Sequence, residues 1–445
     1  MKDNLRKWVS GGTLFIFALT AQAGIYTFKV TDPQEGQKLT LKWNADNTEK
    51  TVELVNGEGT VERNNFQPQF VTLKYGRSVR TLYLDPAQNL QIAFDGESMY
   101  KQISFAGEGA KVNNYLNQTK FAKVPYEDTR KPEAAFIQTS DSVYQANLAI
   151  LESAGMSEAF VKAEKERLKY TAYAVLPMYQ NYHKYFNKLE SYTPSDVFYD
   201  KLKDLQVYDA ALLAYPEYKQ FITNAVLANV YREGAEGVDE RFMEYVTANI
   251  KDAKVLEYIT DSYVFDKVSN SGVDETGALI DFYHQHVKNA DMTKRFDARC
   301  AQWAAIKAGQ PSPVFSCPDI NGKMVSLNDL KGKYVYIDVW ATWCGPCRGE
   351  LPHLKKLEEA YAGKNIEFVS LSCDRDKSAW EKMVKGDEMK GIQLYMGPKD
   401  SFMEKYIING IPRFILLDTE GRILKANAPR PSDPEIKDIL SSLVE

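Results

Sequence analysis

Between residues 25 and 94 the chain alternates apolar and polar residues with a period of two. Ile25-Tyr-Thr-Phe-Lys-Val30, Lys38-Leu-Thr-Leu-Lys-Trp43, Lys50-Thr-Val-Glu-Leu-Val55, Phe70-Val-Thr-Leu-Lys-Tyr75, Arg80-Thr-Leu-Tyr-Leu84 and Leu90-Gln-Ile-Ala-Phe94 all carry it. That period puts one face of a strand in a core and the other in water. Gly57, Gly59 and Asp85-Pro86-Ala-Gln-Asn89 punctuate these stretches as turns. Short strands at this spacing predict a small antiparallel β-sandwich over residues 24–109. From about Ala110 to Ala308 the apolar residues instead recur at helical spacing. Helices are predicted from Pro132 to Gly155, Ser157 to Asn187, Pro216 to Gly234, Val238 to Ile250, Ala253 to Ser269 and Gly277 to Ala308, the last broken near Ala290. Ser157 heads its stretch as an N-cap. The region 110–308 is therefore expected to be all-α. Its tyrosine runs, Tyr170-Thr-Ala-Tyr173 and Tyr179-Gln-Asn-Tyr182-His-Lys-Tyr185, suit either a binding groove or an amphipathic core whose phenol tips reach water. The core reading is the commoner use of tyrosine and is preferred.

At Gly309 the pattern changes again. Asp319-Ile-Asn-Gly322-Lys-Met-Val-Ser-Leu327 reads as strand, Asn-Gly turn and strand. Strands at 334–339, 366–372 and 392–395 then alternate with helices at 345–362, 376–386 and 400–407. Arg413-Phe-Ile-Leu-Leu417 and Arg422-Ile-Leu-Lys425 follow as strands, and Pro434 to Val444 as a last helix. Such alternation predicts an α/β domain over 309–445 with helices on both faces of a mixed sheet.

A chain of 445 residues exceeds one ordinary domain, consistent with these three regions. The net charge of −5 and the lack of a basic stripe argue against a nucleic-acid partner. Lys2, Arg6 and Lys7, then the apolar run Leu14-Phe-Ile-Phe-Ala-Leu19, then Ala21-Gln22-Ala23, read as a cleaved signal peptide over residues 1–23. The run is far short of the ~20 residues that span a bilayer. The expected location is the periplasm. His183, His284 and His286 bring no complementary ligands, and His284-Gln-His286 is too close for one helical face. No metal or cofactor is expected.

Five cysteines remain: Cys300, Cys317, Cys344, Cys347 and Cys373. Cys344-Gly-Pro-Cys347 is the one close pair, and it falls where the strand Lys333-Tyr-Val-Tyr-Ile-Asp338-Val meets a helix. Unpaired N–H groups and the positive dipole end at a helix N-terminus stabilise a thiolate and lower a cysteine pKa from about 8.5 toward ~7. A single Cys-x-x-Cys also fits half a zinc site, but there is no second pair. Asp338 lies six residues before Cys344, Pro352 eight after it, and Gly410-Ile411-Pro412 ends a loop before a strand. These spacings resemble the thioredoxin superfamily. The wider frame is Phe315, Asp319, Gly322-Lys323, Val325-Ser-Leu327, Asp329-Leu-Lys-Gly332-Lys and Trp340-Ala-x-Trp-Cys-x-Pro-Cys-Arg-x-Glu-x-Pro352. It resembles the TlpA/ResA-like branch of envelope thiol–disulfide oxidoreductases. Tyr83-Leu-Asp-Pro through Phe105-x-Gly107-x-Gly-Ala-x-x-Asn-x-Tyr115-Leu is similar to the β-rich leader that precedes such redoxins in gram-negative envelope proteins.

The resemblance implies roles. Cys344 would be the nucleophile and Cys347 the resolving thiol, the two forming a redox-active disulfide. Asp338 would be a buried base beneath them, its pKa raised by desolvation. Pro412 would be cis and face the sulfurs, the Ile411 backbone would offer an edge to an extended substrate, and Trp343 would flank the pair. Glu350, three residues past Cys347, occupies a place where ResA-like members carry a glutamate that contributes to redox behaviour; a solvated surface carboxylate is the alternative. Thioredoxin pairs its buried aspartate with a lysine on the next strand, whereas Phe368-Val-Ser-Leu-Ser-Cys373 has none. Cys373 reads as a buried free thiol before a third redox cysteine, and a Cys300–Cys317 disulfide has nothing further in its favour.

The implied function is disulfide exchange on protein clients, in the reducing direction that Gly-Pro between the cysteines resembles. An envelope reductase implies a membrane electron donor. Two alternatives stand beside it. One is a thiol peroxidase, which needs Pro-x-x-x-Thr/Ser-x-x-Cys; the matching positions hold Ile337 and Ala341, or Trp340 and Cys344. The other is a client-binding protein with an accessory redox domain, since the long front region offers a surface for client selection or for a homodimer.

Overall fold

The computed structural model describes residues 24–274, 276–398 and 400–444. The expected signal peptide lies outside these described residues. The chain divides into two compact units, Met1–Val255 and Leu256–Glu445.

The first unit begins with two four-stranded sheets. One orders its strands Glu58–Arg63, Gly24–Thr31, Leu90–Asp95 and Ile103–Ala106; the other runs Glu49–Val52, Leu39–Trp43, Gln69–Tyr75 and Ser78–Leu84. Tyr26, Phe28, Leu41, Trp43, Leu73 and Ile92, drawn from both sheets, belong to one buried cluster. The region is β-rich as the alternation predicts, but it is not wholly antiparallel: Gly24–Thr31 runs parallel to Leu90–Asp95. A period of two reports which face is buried and carries nothing about strand direction. The crossover a parallel pair requires is supplied by the strands of the other sheet. Two strands escape the pattern. Glu58–Arg63 buries only Val61, and Ile103–Ala106 buries nothing fully.

Helices follow at Ala110–Gln118, Glu133–Ser153, Glu158–Ala172, Tyr179–Asn187, Asp196–Leu205, Pro216–Val230 and Val238–Asn249. Ser157 caps its helix by accepting from the Phe160 N–H at 3.4 Å. The stretch from Ser157 to Asn187 is two helices rather than one, broken at the 3₁₀ turn Leu176–Met178, where Pro177 cannot donate to the ladder. Tyr170 and Tyr179 are fully buried, with the Tyr179 hydroxyl donating to the Lys131 carbonyl at 2.7 Å. Those two tyrosines are core; Tyr185 is exposed.

The second unit takes in the helices Gly277–His286 and Ala290–Ala304 together with 309–445. The break near Ala290 is an N-cap: the Asn289 side chain accepts from Asp291 N–H at 3.0 Å and Met292 N–H at 3.1 Å. A hairpin of Ser316–Pro318 and Met324–Ser326 precedes a five-stranded sheet. Its order is Ile392–Tyr395, Ile366–Ser372, Tyr334–Trp340, Arg413–Leu417, Ile423–Lys425. The first three are parallel and the last two antiparallel. This is the thioredoxin-like arrangement. The central strand Tyr334–Trp340 is buried from Val335 onward, as a strand covered on both faces must be. Tyr336, Phe368 and Phe414 pack with Leu354 and Leu357 of the helix Gly345–Ala360 and with Leu440 of the helix Pro434–Val444. Ring contact between Trp303 and the Arg413 guanidinium, 5.5 Å from the ring centre, ties the preceding helices to this sheet. Among the described residues no helix is long and apolar enough to cross a membrane.

Candidate active site

The central strand delivers the chain to a tight turn at its C-terminal end. Cys344 N–H donates to the Ala341 carbonyl at 3.0 Å, and Cys344 is the N-cap of the helix Gly345–Ala360. Its Sγ accepts from the Cys347 N–H at 3.2 Å, taking up one of the orphan donors of the first turn. Pro346 sits in that first turn, where a missing N–H has no cost. Cys344 and Cys347 are joined by a disulfide with their Cα atoms 5.3 Å apart. Cys344 Sγ lies 3.7 Å from the Ile411 carbonyl oxygen, and the Ile411–Pro412 peptide is cis. Trp343 leaves 70% of its surface in solvent beside the pair.

Asp338 lies on the same strand, 3% exposed, and its Oδ1 has no hydrogen-bond partner among the described residues. Burial, then the nearby Glu350 and Glu358 carboxylates, push its pKa up to about 8. Glu350 is buried rather than a solvated surface group. Its carboxylate accepts from the Ser432 N–H at 3.0 Å and the Ser432 hydroxyl at 2.9 Å, with the Arg430 guanidinium 3.9 Å away. Ser370 pairs in register with Asp338, so a serine stands on the neighbouring strand where the expected pattern has lysine. The structure thus brings Cys344, Cys347, Asp338, Glu350, Trp343, Ile411 and Pro412 to one end of the sheet.

Cys373 is buried in the same apolar cluster as Cys344, Cys347 and Trp340. Burial, and then the Asp374 carboxylate, push its thiol up to about 11, so it stays protonated and unreactive near neutral pH. Cys300 and Cys317 are free and not joined to each other.

The Redoxin family pattern matches residues 307–443. The thiol-disulfide oxidoreductase ResA of Bacillus cereus is 31% identical over 121 residues, which are 27% of this chain and 69% of that protein. A candidate thiol-disulfide oxidoreductase of Bacteroides vulgatus, solved in solution, is 66% identical over 31% of this chain and 92% of its own, with a TM-score of 0.29. The thioredoxin domain of another Bacteroides vulgatus thiol-disulfide oxidoreductase is 33% identical over 31% of this chain and 99% of its own, again with a TM-score of 0.29. The chain belongs to the redoxin family. It is a thiol-disulfide oxidoreductase with a redoxin domain at its C-terminal end.

One residue of this redoxin's site escapes the motif reading. Asp374 is 1% exposed, and its carboxylate accepts from the Thr342 N–H at 3.0 Å, the Thr342 hydroxyl at 2.7 Å and the Ser372 hydroxyl at 2.8 Å. It fastens the turn that presents Cys344 to the end of the neighbouring strand. The available signal was its place at the carboxyl end of a parallel strand beside the active-site strand, where α/β sheets gather their site residues.

Proposed function

We propose that this redoxin reduces protein disulfides in the periplasm, with electrons supplied by a membrane donor. The observation that carries the reading is a Cys344-Gly-Pro-Cys347 disulfide at a strand-to-helix turn, with a buried carboxyl on the strand beneath it whose Oδ1 has no hydrogen-bond partner among the described residues. In the reduced protein the Cys344 thiolate attacks one sulfur of a client disulfide. A mixed disulfide forms and the first client thiolate leaves. Asp338 takes the proton of Cys347, whose thiolate then attacks Cys344 Sγ. The client departs with two thiols, and the protein keeps the two-electron oxidised pair. The cis Ile411–Pro412 segment, with its carbonyl close to Cys344 Sγ, suits an extended client backbone, and the exposed Trp343 offers an apolar contact beside it. The region 24–308 is read as a leader and helical region that selects clients or joins two copies.

The test is reduction of insulin by the full chain with a chemical reductant, paired with an equilibrium titration of the disulfide. Turnover is expected, with a loss of about 100-fold or more in Cys344→Ser, and a potential below about −200 mV, on the reducing side of protein disulfide isomerase. Absence of turnover with both cysteines intact, or a potential near that of a strong oxidant at about −120 mV, would overturn it.

A further inference from the structure

Two carboxyls are buried beside the dithiol, and they are engaged unequally. Asp338 and Glu350 come from the two elements that meet at the active-site turn. The central strand runs toward the turn, and the helix runs back from it over the same face, since Tyr336 packs with Leu354 and Leu357. Asp338 is two residues past Tyr336 on the strand, about 7 Å nearer the turn. Glu350 is one helical turn before Leu354, about 6 Å nearer the turn. The two side chains therefore stand across from each other between helix and sheet. Glu350 is also three residues past Cys347, on the helix face they share.

Their hydrogen bonds differ. Glu350 is held from outside the helix: Oε2 accepts from the Ser432 N–H at 3.0 Å, Oε1 accepts from the Ser432 hydroxyl at 2.9 Å, and the Arg430 guanidinium stands 3.9 Å from Oε1. Asp338 Oδ1 has no donor among the described residues. A carboxylate held by donors is a weaker proton acceptor than one without them. The segment that supplies the donors is itself fastened to the strand, the Tyr336 hydroxyl donating to the Pro429 carbonyl at 2.6 Å. The titratable and charged groups around the pair come from five places. They are Cys347 and Glu358 on the helix, Tyr336 on the strand, Cys373 from the neighbouring strand, and Arg430 and Asp433 from the segment before the last helix; Phe414, opposite Asp338 on the fourth strand, brings none.

We propose that Ser432, aided by Arg430, withholds Glu350 from the dithiol, so that Asp338 alone takes the proton of Cys347. This rests on the reading of Asp338 as that base. The steps balance. Cys347–SH and the Asp338 carboxylate become Cys347 thiolate and Asp338 carboxylic acid. The thiolate forms the bond to Cys344 Sγ as the client thiolate leaves with the electron pair of the mixed disulfide. Glu350 stays a carboxylate throughout, its oxygens turned to Ser432. Ser432 touches no reacting atom and is a positioning residue. It is exposed, so its hydroxyl can be removed without opening a space in the core. Without that hydroxyl, Glu350 is free to turn toward Cys347, one helical turn away, and to accept the same proton in place of Asp338.

The test is single-turnover oxidation of the reduced full-length protein by glutathione disulfide, with ring closure to the Cys344–Cys347 disulfide followed by tryptophan fluorescence from pH 5.5 to 9. Asp338→Asn is expected to slow ring closure. Adding Ser432→Ala to it is expected to restore the rate about 3- to 10-fold, and adding Glu350→Gln to those two is expected to remove the gain. Ser432→Thr, which keeps the hydroxyl, is expected to restore nothing. Arg430→Gln, at an exposed side chain, is expected to give a smaller gain than Ser432→Ala. A structural loss at Ser432 would slow the reaction further and could not restore it. No gain from Ser432→Ala and Arg430→Gln combined overturns the proposal. So does a gain that survives Glu350→Gln, since it would not come through that carboxylate. If Asp338→Asn alone leaves ring closure unchanged, the base reading fails first, and this proposal falls with it.

Discussion

Asp338 is a carboxyl on an interior strand, and its environment dictates its charge. The unfolded chain ionises it near an ordinary ~3.9. In the folded protein burial and two neighbouring carboxylates raise its pKa to about 8, so near neutral pH it is mostly neutral and its ionised fraction acts as the base. A raised folded-state pKa contributes stability that is fully present below the unfolded pKa and is lost as pH rises through the folded one. Asp338→Asn is therefore expected to change little at pH 4 and to stabilise the oxidised protein on the order of 3–5 kcal/mol at pH 9. Urea melts at the two pH values check this; an equal effect at both would show that the carboxyl is not held neutral by the fold. Glu350 shows why residue-level reading is incomplete. Its helix position puts it on the face of Cys347, but its partner Ser432 lies 82 residues further along and only the fold joins them. Spacing along one short strand-to-helix stretch carries Cys344, Cys347 and Asp338; it carries nothing about a hydrogen bond between distant elements.

At the scale of elements, the redoxin domain was legible because its strands are apolar runs bounded by turn residues and its helices have clean caps. The expected strands at 366–372, 392–395 and Arg413–Leu417 coincide with the observed ones. In the β-rich region the pattern failed where a strand buries little, as at Ile103–Ala106, and where direction mattered, as in the parallel pairing of Gly24–Thr31 with Leu90–Asp95. Among the helices, Asp196–Leu205 went unread, and a single long stretch proved to be two helices around Pro177. Asp374 belongs to this scale because it joins the end of one strand to the turn after another. Asp374→Ala leaves the Thr342 N–H and two hydroxyls without their acceptor, and is expected to destabilise the domain by about 1–3 kcal/mol. It is also expected to slow thiol attack by loosening the turn that presents Cys344. Denaturant melts and the rate of reaction with a small disulfide measure the two effects, and an unchanged attack rate would reduce Asp374 to a stabilising residue alone.

For the whole molecule, the sequence separated a redox part from a longer front part, and the reading of that front part as client-selecting rests on its size and on nothing in its chemistry. What the molecule acts on is decided at Cys344, so the most direct measurement is covalent. The full-length Cys347→Ser protein, reduced and exposed to a periplasmic extract, cannot complete the exchange and is expected to hold clients as mixed disulfides. Mass spectrometry is expected to place those bonds on Cys344, releasable by dithiothreitol and absent from Cys344→Ser/Cys347→Ser. Adducts on Cys373 or Cys300 instead, or no dithiothreitol-sensitive adduct on Cys344, would contradict the account.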